Sequence, residues 1–112
     1  MSRRTAKVEE LLREEISRLI QSEMPEDFGI ISVTRTAVTP DLKLAKIYVS
    51  ALFIEKEKEI IKALNLKAKE FQKILAGKLP IRYMPRIIFE FDKARHEIDR
   101  VEELLEEIEH GS

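Results

Sequence analysis

A chain of 112 residues, 44% of them hydrophobic, supplies one domain and enough apolar side chain to bury a core without staples. The absence of cysteine excludes disulfides, thiolate metal sites and cysteine nucleophiles, and no run approaches the ~18 apolar residues of a membrane span. With 3 glycines and 4 prolines the chain is neither disordered nor collagen-like, and its 20 basic and 21 acidic residues nearly cancel.

Val8, Leu11, Leu12, Ile16, Leu19 and Ile20 recur at the helical period, which predicts an amphipathic helix over 5–23 with Thr5 as its N-cap. Met24-Pro25 ends it, because the residue before a proline is pushed out of the helical region. Asp27-Phe28-Gly29 reads as a turn, and the Ile, Val and Thr residues of 30–39 read as a strand. Thr39-Pro40-Asp41-Leu42 suits a tight turn. A second strand over 43–53 alternates Ala45, Ile47, Val49 and Ala51 on one face with Lys46, Tyr48 and Ser50 on the other. So short a connection makes the two strands an antiparallel hairpin.

Residues 55–79 return to the helical period through Ile60, Leu64, Ala68, Phe71 and Leu75. They form one helix, or two joined near Asn65-Leu66 where the stripe is least regular, with Gly77 and Pro80 as the stop. Residues 84–92 read as a third strand with Ile87, Phe89 and Phe91 alternating and Pro85 at its start. Ile98, Val101, Leu104, Leu105 and Ile108 mark a short acidic helix. The expected organisation is an α+β domain over 1–92, an acidic helix over 93–109 appended to it, and a cloning remnant over 110–112. Helices should stack on one face of a small three-stranded sheet, leaving the face with Lys46, Tyr48 and Ser50 to solvent.

Catalytic constellations are nearly missing. His96 and His110 belong to no metal-ligand pattern, and His96 reads as a surface histidine. The pairs Glu102–Glu103 and Glu106–Glu107 lie on a solvated helix face, with nothing to desolvate them for acid–base work. No phosphate-cradling or nucleophile-elbow glycine pattern is present. The expectation is a protein without catalytic residues, metal or cofactor.

The balanced charge is segregated. Between positions 62 and 86 stand Lys62, Lys67, Lys69, Lys73, Lys78, Arg82 and Arg86 with one acid, Glu70, whereas residues from Lys93 onward carry an excess of acids. The basic residues are the candidate RNA-binding set: they run from the outer face of the helix through the glycine–proline turn into the third strand, and phosphates favour such clusters. The alternative is a lysine-rich solvated helix. Tyr83 and Tyr48 are the candidates for base stacking and are equally plausible as half-buried sheet residues, so backbone and shape recognition of folded RNA is favoured over reading a single strand.

These residues resemble the bacterial ribosome-binding factor A family over about 4–105. The first helix carries Arg4, Val8, Leu12, Arg13, Glu15 and Ile16 in the family's opening pattern. The hairpin matches through Val33-Thr34, Val38, Pro40-Asp41-Leu42 and 45–50, and the last strand region through Leu79, Arg82, Pro85, Ile87, Phe89 and Asp92. The resemblance implies a KH-like fold of type II, whose helix pair is kinked at an Ala-x-Gly motif. Here that position is Ala68-Lys69-Glu70, so Glu70 replaces the glycine, which implies a milder kink or one displaced towards Asn65.

The implied function is late maturation of the small ribosomal subunit. The family binds the free 30S subunit and 16S rRNA near the 5′-terminal helix and neck, and supports end processing of 16S rRNA without cutting it. A monomer in the cytoplasm, away from membranes, is expected. The competing reading is a protein-interaction module that dimerises through the apolar stripe of 98–108, although that stripe is short for a coiled coil.

Overall fold

The structure, a computed structural model, describes residues 3–93. Helix α1 (Arg3–Glu23) leads into strands β1 (Ile31–Val38) and β2 (Leu44–Ala51), then helix α2 (Glu57–Lys78) and strand β3 (Arg86–Phe91). Short 3₁₀ turns at Glu26–Phe28 and Ile54–Lys56 lead into β1 and α2. The sheet order is β1-β2-β3, with β1 antiparallel and β3 parallel to β2. A parallel neighbour requires a crossover, and α2 provides it. Both helices pack on one sheet face, as expected, α1 against β1 and α2 against β3. The expected acidic helix and the stripe of 98–108 lie outside the described residues.

The core joins Leu12 and Ile16 of α1, Ile47 and Val49 of β2, Leu64, Phe71 and Leu75 of α2, and Ile87 and Phe89 of β3. Phe71 meets Phe89 edge to face, with ring centroids 6.1 Å apart, the arrangement that aromatic quadrupoles favour. Thr5 is not the cap of α1. Arg3 and Arg4 before it are already helical, and Thr5 is buried on the same stripe as Val8, Leu12, Ile16 and Leu19, inside the helix and not at its cap. Nor does Gly77 stop α2. It lies inside the last turn with open space around it, and the helix ends where Leu79 turns extended (φ −93°, ψ 144°) ahead of Pro80.

β1 holds a bulge that its composition concealed. The register shifts between Val33 and Arg35, so Ile31 and Val33 pack on the core before it and Val38 after it. The extra residue re-phases the strand. Arg35 therefore reaches the open face, where its guanidinium stacks 4.0 Å from the centre of the Tyr48 ring. Thr36 faces α1 and donates its hydroxyl to the Glu9 carbonyl at 2.8 Å, and the Val38 amide donates to the Glu9 carboxylate at 3.2 Å. These bonds fix the start of α1 beside the end of β1. The Thr34 hydroxyl lies 2.7 Å from Asp92 Oδ2, bridging β1 to the end of β3 across β2.

Gly29 is required by its backbone, at φ +70° and ψ −154°, and by space, since an added Cβ would stand 2.6 Å from the Phe53 ring. Between the strands, the Leu42 amide donates to the Thr39 carbonyl at 2.8 Å and closes the expected turn. Leu42 itself takes a left-handed conformation (φ 60°). The Asp41 carboxylate accepts from the Thr39 hydroxyl at 2.6 Å and the Lys43 amide at 3.0 Å. The Thr39 bond is the largest of the influences that hold Asp41 below the ordinary aspartate range.

α2 is one unbroken α-helix, and Asn65 marks no joint in it. Its side-chain amide accepts from the Phe89 amide at 2.9 Å and donates to the Phe89 carbonyl at 3.1 Å, and Gln72 Oε1 accepts from the Ile87 amide at 3.1 Å. Two amides from α2 thus occupy backbone positions along the outer edge of β3 that a further strand would otherwise pair with. Asn65→Ala should lower stability by about 1–2 kcal/mol in chemical denaturation, because two backbone groups lose their partner at a partly solvated edge. Amide exchange at Phe89 should accelerate in the same variant; unchanged exchange there would contradict the bonding. Thr39→Val should raise the Asp41 titration midpoint towards the ordinary aspartate value, followed by carboxyl NMR. Because its folded-state midpoint is depressed, Asp41 contributes stability above the ordinary aspartate pKa and loses it as pH falls through the depressed value.

Candidate nucleic-acid interface

Helix packing and strand direction bring three chain segments to one end of the sheet. The start of α1 lies there because Glu9 is bonded to the end of β1, the Pro40–Lys43 turn joins β1 to β2, and the 79–85 connection returns from α2 to β3. Between them lies a groove of about 850 Å³, lined by Arg4, Lys7, Lys43, Arg82 and Arg86 with Asp41 as its acidic residue. All five cations are exposed. The Asp41 carboxylate is turned into its own hairpin by the two bonds described above. Among the described residues none of the five forms an ion pair, and five cations against one carboxylate leave the groove with an excess of positive charge.

The seven sequence-predicted cations divide. Arg82 and Arg86 line this groove, and Lys69 and Lys73 line a shallower concavity beside it that shares Gln72 and Met84. Lys78 is exposed at the last position of α2. Lys67 is occupied elsewhere: its ammonium donates to the Glu23 carbonyl at 3.1 Å and stands 3.9 Å from the Glu23 carboxylate, which satisfies the end of α1. Lys62 lines a separate concavity with Arg35, Tyr48, Lys58 and Glu90. Arg4, Lys7 and Lys43 escaped the sequence reading. They are distant in the chain from 62–86: the packing of α1 on β1 brings Arg4 and Lys7 alongside it, and the pairing of β2 with β3 brings Lys43, whose carbonyl accepts from the Arg86 amide at 2.9 Å.

Of the two aromatic candidates, Tyr48 is half-buried beneath Arg35, whereas Tyr83 is 73% exposed. The Arg82 guanidinium lies 5.3 Å from the Tyr83 ring centre. The opposite end of the sheet is apolar, with Ile30, Leu52 and Ile54 exposed. Among the described residues no group of three or more His, Asp or Glu is placed to hold a metal ion, and no helix is long and apolar enough to cross a membrane.

The described architecture matches solved structures. The crystal structure of ribosome-binding factor A from Thermus thermophilus aligns with a TM-score of 0.70 at 22% identity, over 77% of this chain and 93% of that one. A homology model of the Thermus thermophilus protein, fitted into the cryo-EM map of its complex with 30S, aligns with a TM-score of 0.67 at 21% identity, over 76% of this chain and 91% of that one. Sequence relatives are nearer. Ribosome-binding factor A of Chlorobium phaeobacteroides is 37% identical, covering 96% of both chains, and that of Chlorobaculum parvum is 35% identical, covering 99% of this chain and 95% of its own. The family model for ribosome-binding factor A matches residues 4–105. The α+β, KH-like architecture and the sequence relatives agree, and the chain belongs to the ribosome-binding factor A family.

Proposed function

We propose that this chain is a non-catalytic assembly factor of the small ribosomal subunit, and that it docks on 16S rRNA of the free 30S particle through the cationic end of its sheet. The observation that carries the proposal is the convergence of Arg4, Lys7, Lys43, Arg82 and Arg86 around one groove, none of them in an ion pair among the described residues. Lys69, Lys73 and Lys78 extend that surface along α2. Lys62 and Lys67, also in the basic run, lie outside that surface, Lys62 in a separate concavity and Lys67 bonded to Glu23. Family membership supports the reading, as does the related Thermus thermophilus protein fitted into a map of its complex with 30S.

Folded rRNA offers closely spaced phosphates, and cations that replace their condensed counterions gain affinity from the ions released. Such docking is independent of base sequence, so shape and spacing select the site. The 5′-terminal helix and neck of the immature particle are its place in this reading. Held there, the factor stabilises a conformation that precedes final helix pairing and supports late maturation and end processing of 16S rRNA, acting as a cytoplasmic monomer. It cuts no RNA itself.

Co-sedimentation with 30S, 50S and 70S particles tests this. Wild-type protein should travel with 30S alone, and its affinity should fall by about 10²–10³-fold between about 50 and about 200 mM salt, as expected for roughly five phosphate contacts. Arg82→Glu with Arg86→Glu should abolish co-sedimentation. Its unfolding midpoint should stay close to wild type, because both positions are exposed and form no ion pair among the described residues. A double variant that sediments with 30S as wild type does would contradict the assignment of the groove.

A further inference from the structure

The connection that returns from α2 to β3 is anchored on both sides of two exposed residues. Leu79, Ile81 and Met84 pack against the core and Pro85 is fully buried, while Arg82 and Tyr83 between them face solvent. A solvated loop that happened to carry a tyrosine would not need such anchoring. Here the backbone on either side is held by apolar contacts, so the ring is presented from a fixed base, with the Arg82 guanidinium close to it. Ring and guanidinium offer flat, polarisable faces of the kind on which nucleobases stack.

The groove beside them has room for a nucleotide, since its volume of about 850 Å³ falls within the range of ligand sites. Gln72 lines it as well. The Ile87 amide fixes Gln72 Oε1, which orients the side chain and leaves its amide nitrogen without a hydrogen-bond partner among the described residues. That nitrogen carries two N–H donors suited to the acceptor edge of a base. Arg4, Lys7, Lys43 and Arg86 surround the same space and are matched to the flanking phosphates.

We infer that the groove captures an unpaired RNA nucleotide, its base stacked on Tyr83 and its phosphates held by the surrounding cations. This rests on the RNA-docking reading above and adds to it. Docking on duplex phosphates has no use for an exposed ring, and a base buried in a helix offers it no face. The rRNA element that reaches this groove therefore has a bulged, looped or terminal base, and the factor distinguishes a region still unpaired from one whose helices have closed.

The protein contains no tryptophan and 2 tyrosines, so Tyr48→Phe leaves Tyr83 as the sole tyrosine emitter. An unstructured oligoribonucleotide of about ten nucleotides containing adenine and uracil is titrated against this variant, beside a blunt RNA duplex of similar charge. The single strand should quench the emission and the duplex should leave it nearly unchanged. Tyr83→Ala should weaken binding of the single strand about ten-fold without altering duplex binding, and Tyr83→Phe should bind as wild type. Equal quenching by duplex and single strand, or undiminished single-strand binding by Tyr83→Ala, would overturn the stacking site. The two readings fail separately: loss of 30S binding in the Arg82/Arg86 charge reversal alongside an ineffective Tyr83→Ala removes the base site and keeps phosphate docking, whereas an ineffective charge reversal removes both.

Discussion

The rest of the molecule depends on how α2 is held along the outer edge of β3. A parallel edge strand directs alternate amides away from the sheet, and in this fold the Ile87 and Phe89 amides meet Gln72 and Asn65. The two helix residues are seven apart, about two turns, and so lie on one face of α2. Phe71 fills the space between helix and strand against Phe89. Together these contacts set the helix along the strand, and with it the position at which the 79–85 connection begins and ends. Arg82, Tyr83 and Arg86 are where they are because α2 cannot slide along β3 without breaking hydrogen bonds at both amides. The same amides cover an edge on which another chain could otherwise add a strand.

Charge is distributed in two ways over this frame. Where a cation serves the fold it has a partner: Lys67 satisfies the end of α1, Lys46 stands 3.6 Å from Glu90 across β2 and β3, and Arg18 pairs with Glu15. Around the groove the cations form no ion pair among the described residues. Each like-charge pair at a solvated surface costs only a few tenths of a kcal/mol, and salt screens it within about 10 Å. The fold tolerates that repulsion, and a polyanion would relieve it. The one carboxylate at the groove among the described residues, Asp41, is tied to its own turn, its Oδ1 accepting from the Thr39 hydroxyl and the Lys43 amide.

Much of the fold was legible because hydrophobic period and turn chemistry agreed. The stripe through Val8, Leu12 and Ile16, the alternation through Ala45, Ile47 and Val49, and the Pro40-Asp41 turn each named an element within a few residues of its ends. The parallel setting of β3 was not read in advance, since a single strand carries no mark of its direction. Local signals misled where tertiary burial overrode them, as at Thr5, or where a residue had a partner distant in sequence, as at Asn65. Its polar interruption of the stripe resembled a break and was a bond to β3. The candidate site was half legible. A basic run between 62 and 86 is visible in sequence, but a helix turns Lys67 about 160° from Lys69 and sets Lys62 some two turns away. Arg4 and Lys7 join the groove through the packing of α1 on β1, and Lys43 through the pairing of β2 with β3.

The central claim is that the cationic end of the sheet is the face that meets RNA. Amide chemical-shift mapping with a 16S rRNA fragment that retains its 5′-terminal helix and neck addresses it most directly. The account predicts shifts concentrated at residues 4–7, 41–43 and 81–86, reversed by added salt. Shifts concentrated instead around Ile30 and 52–56, at the apolar opposite end, with the groove amides unmoved, would contradict it.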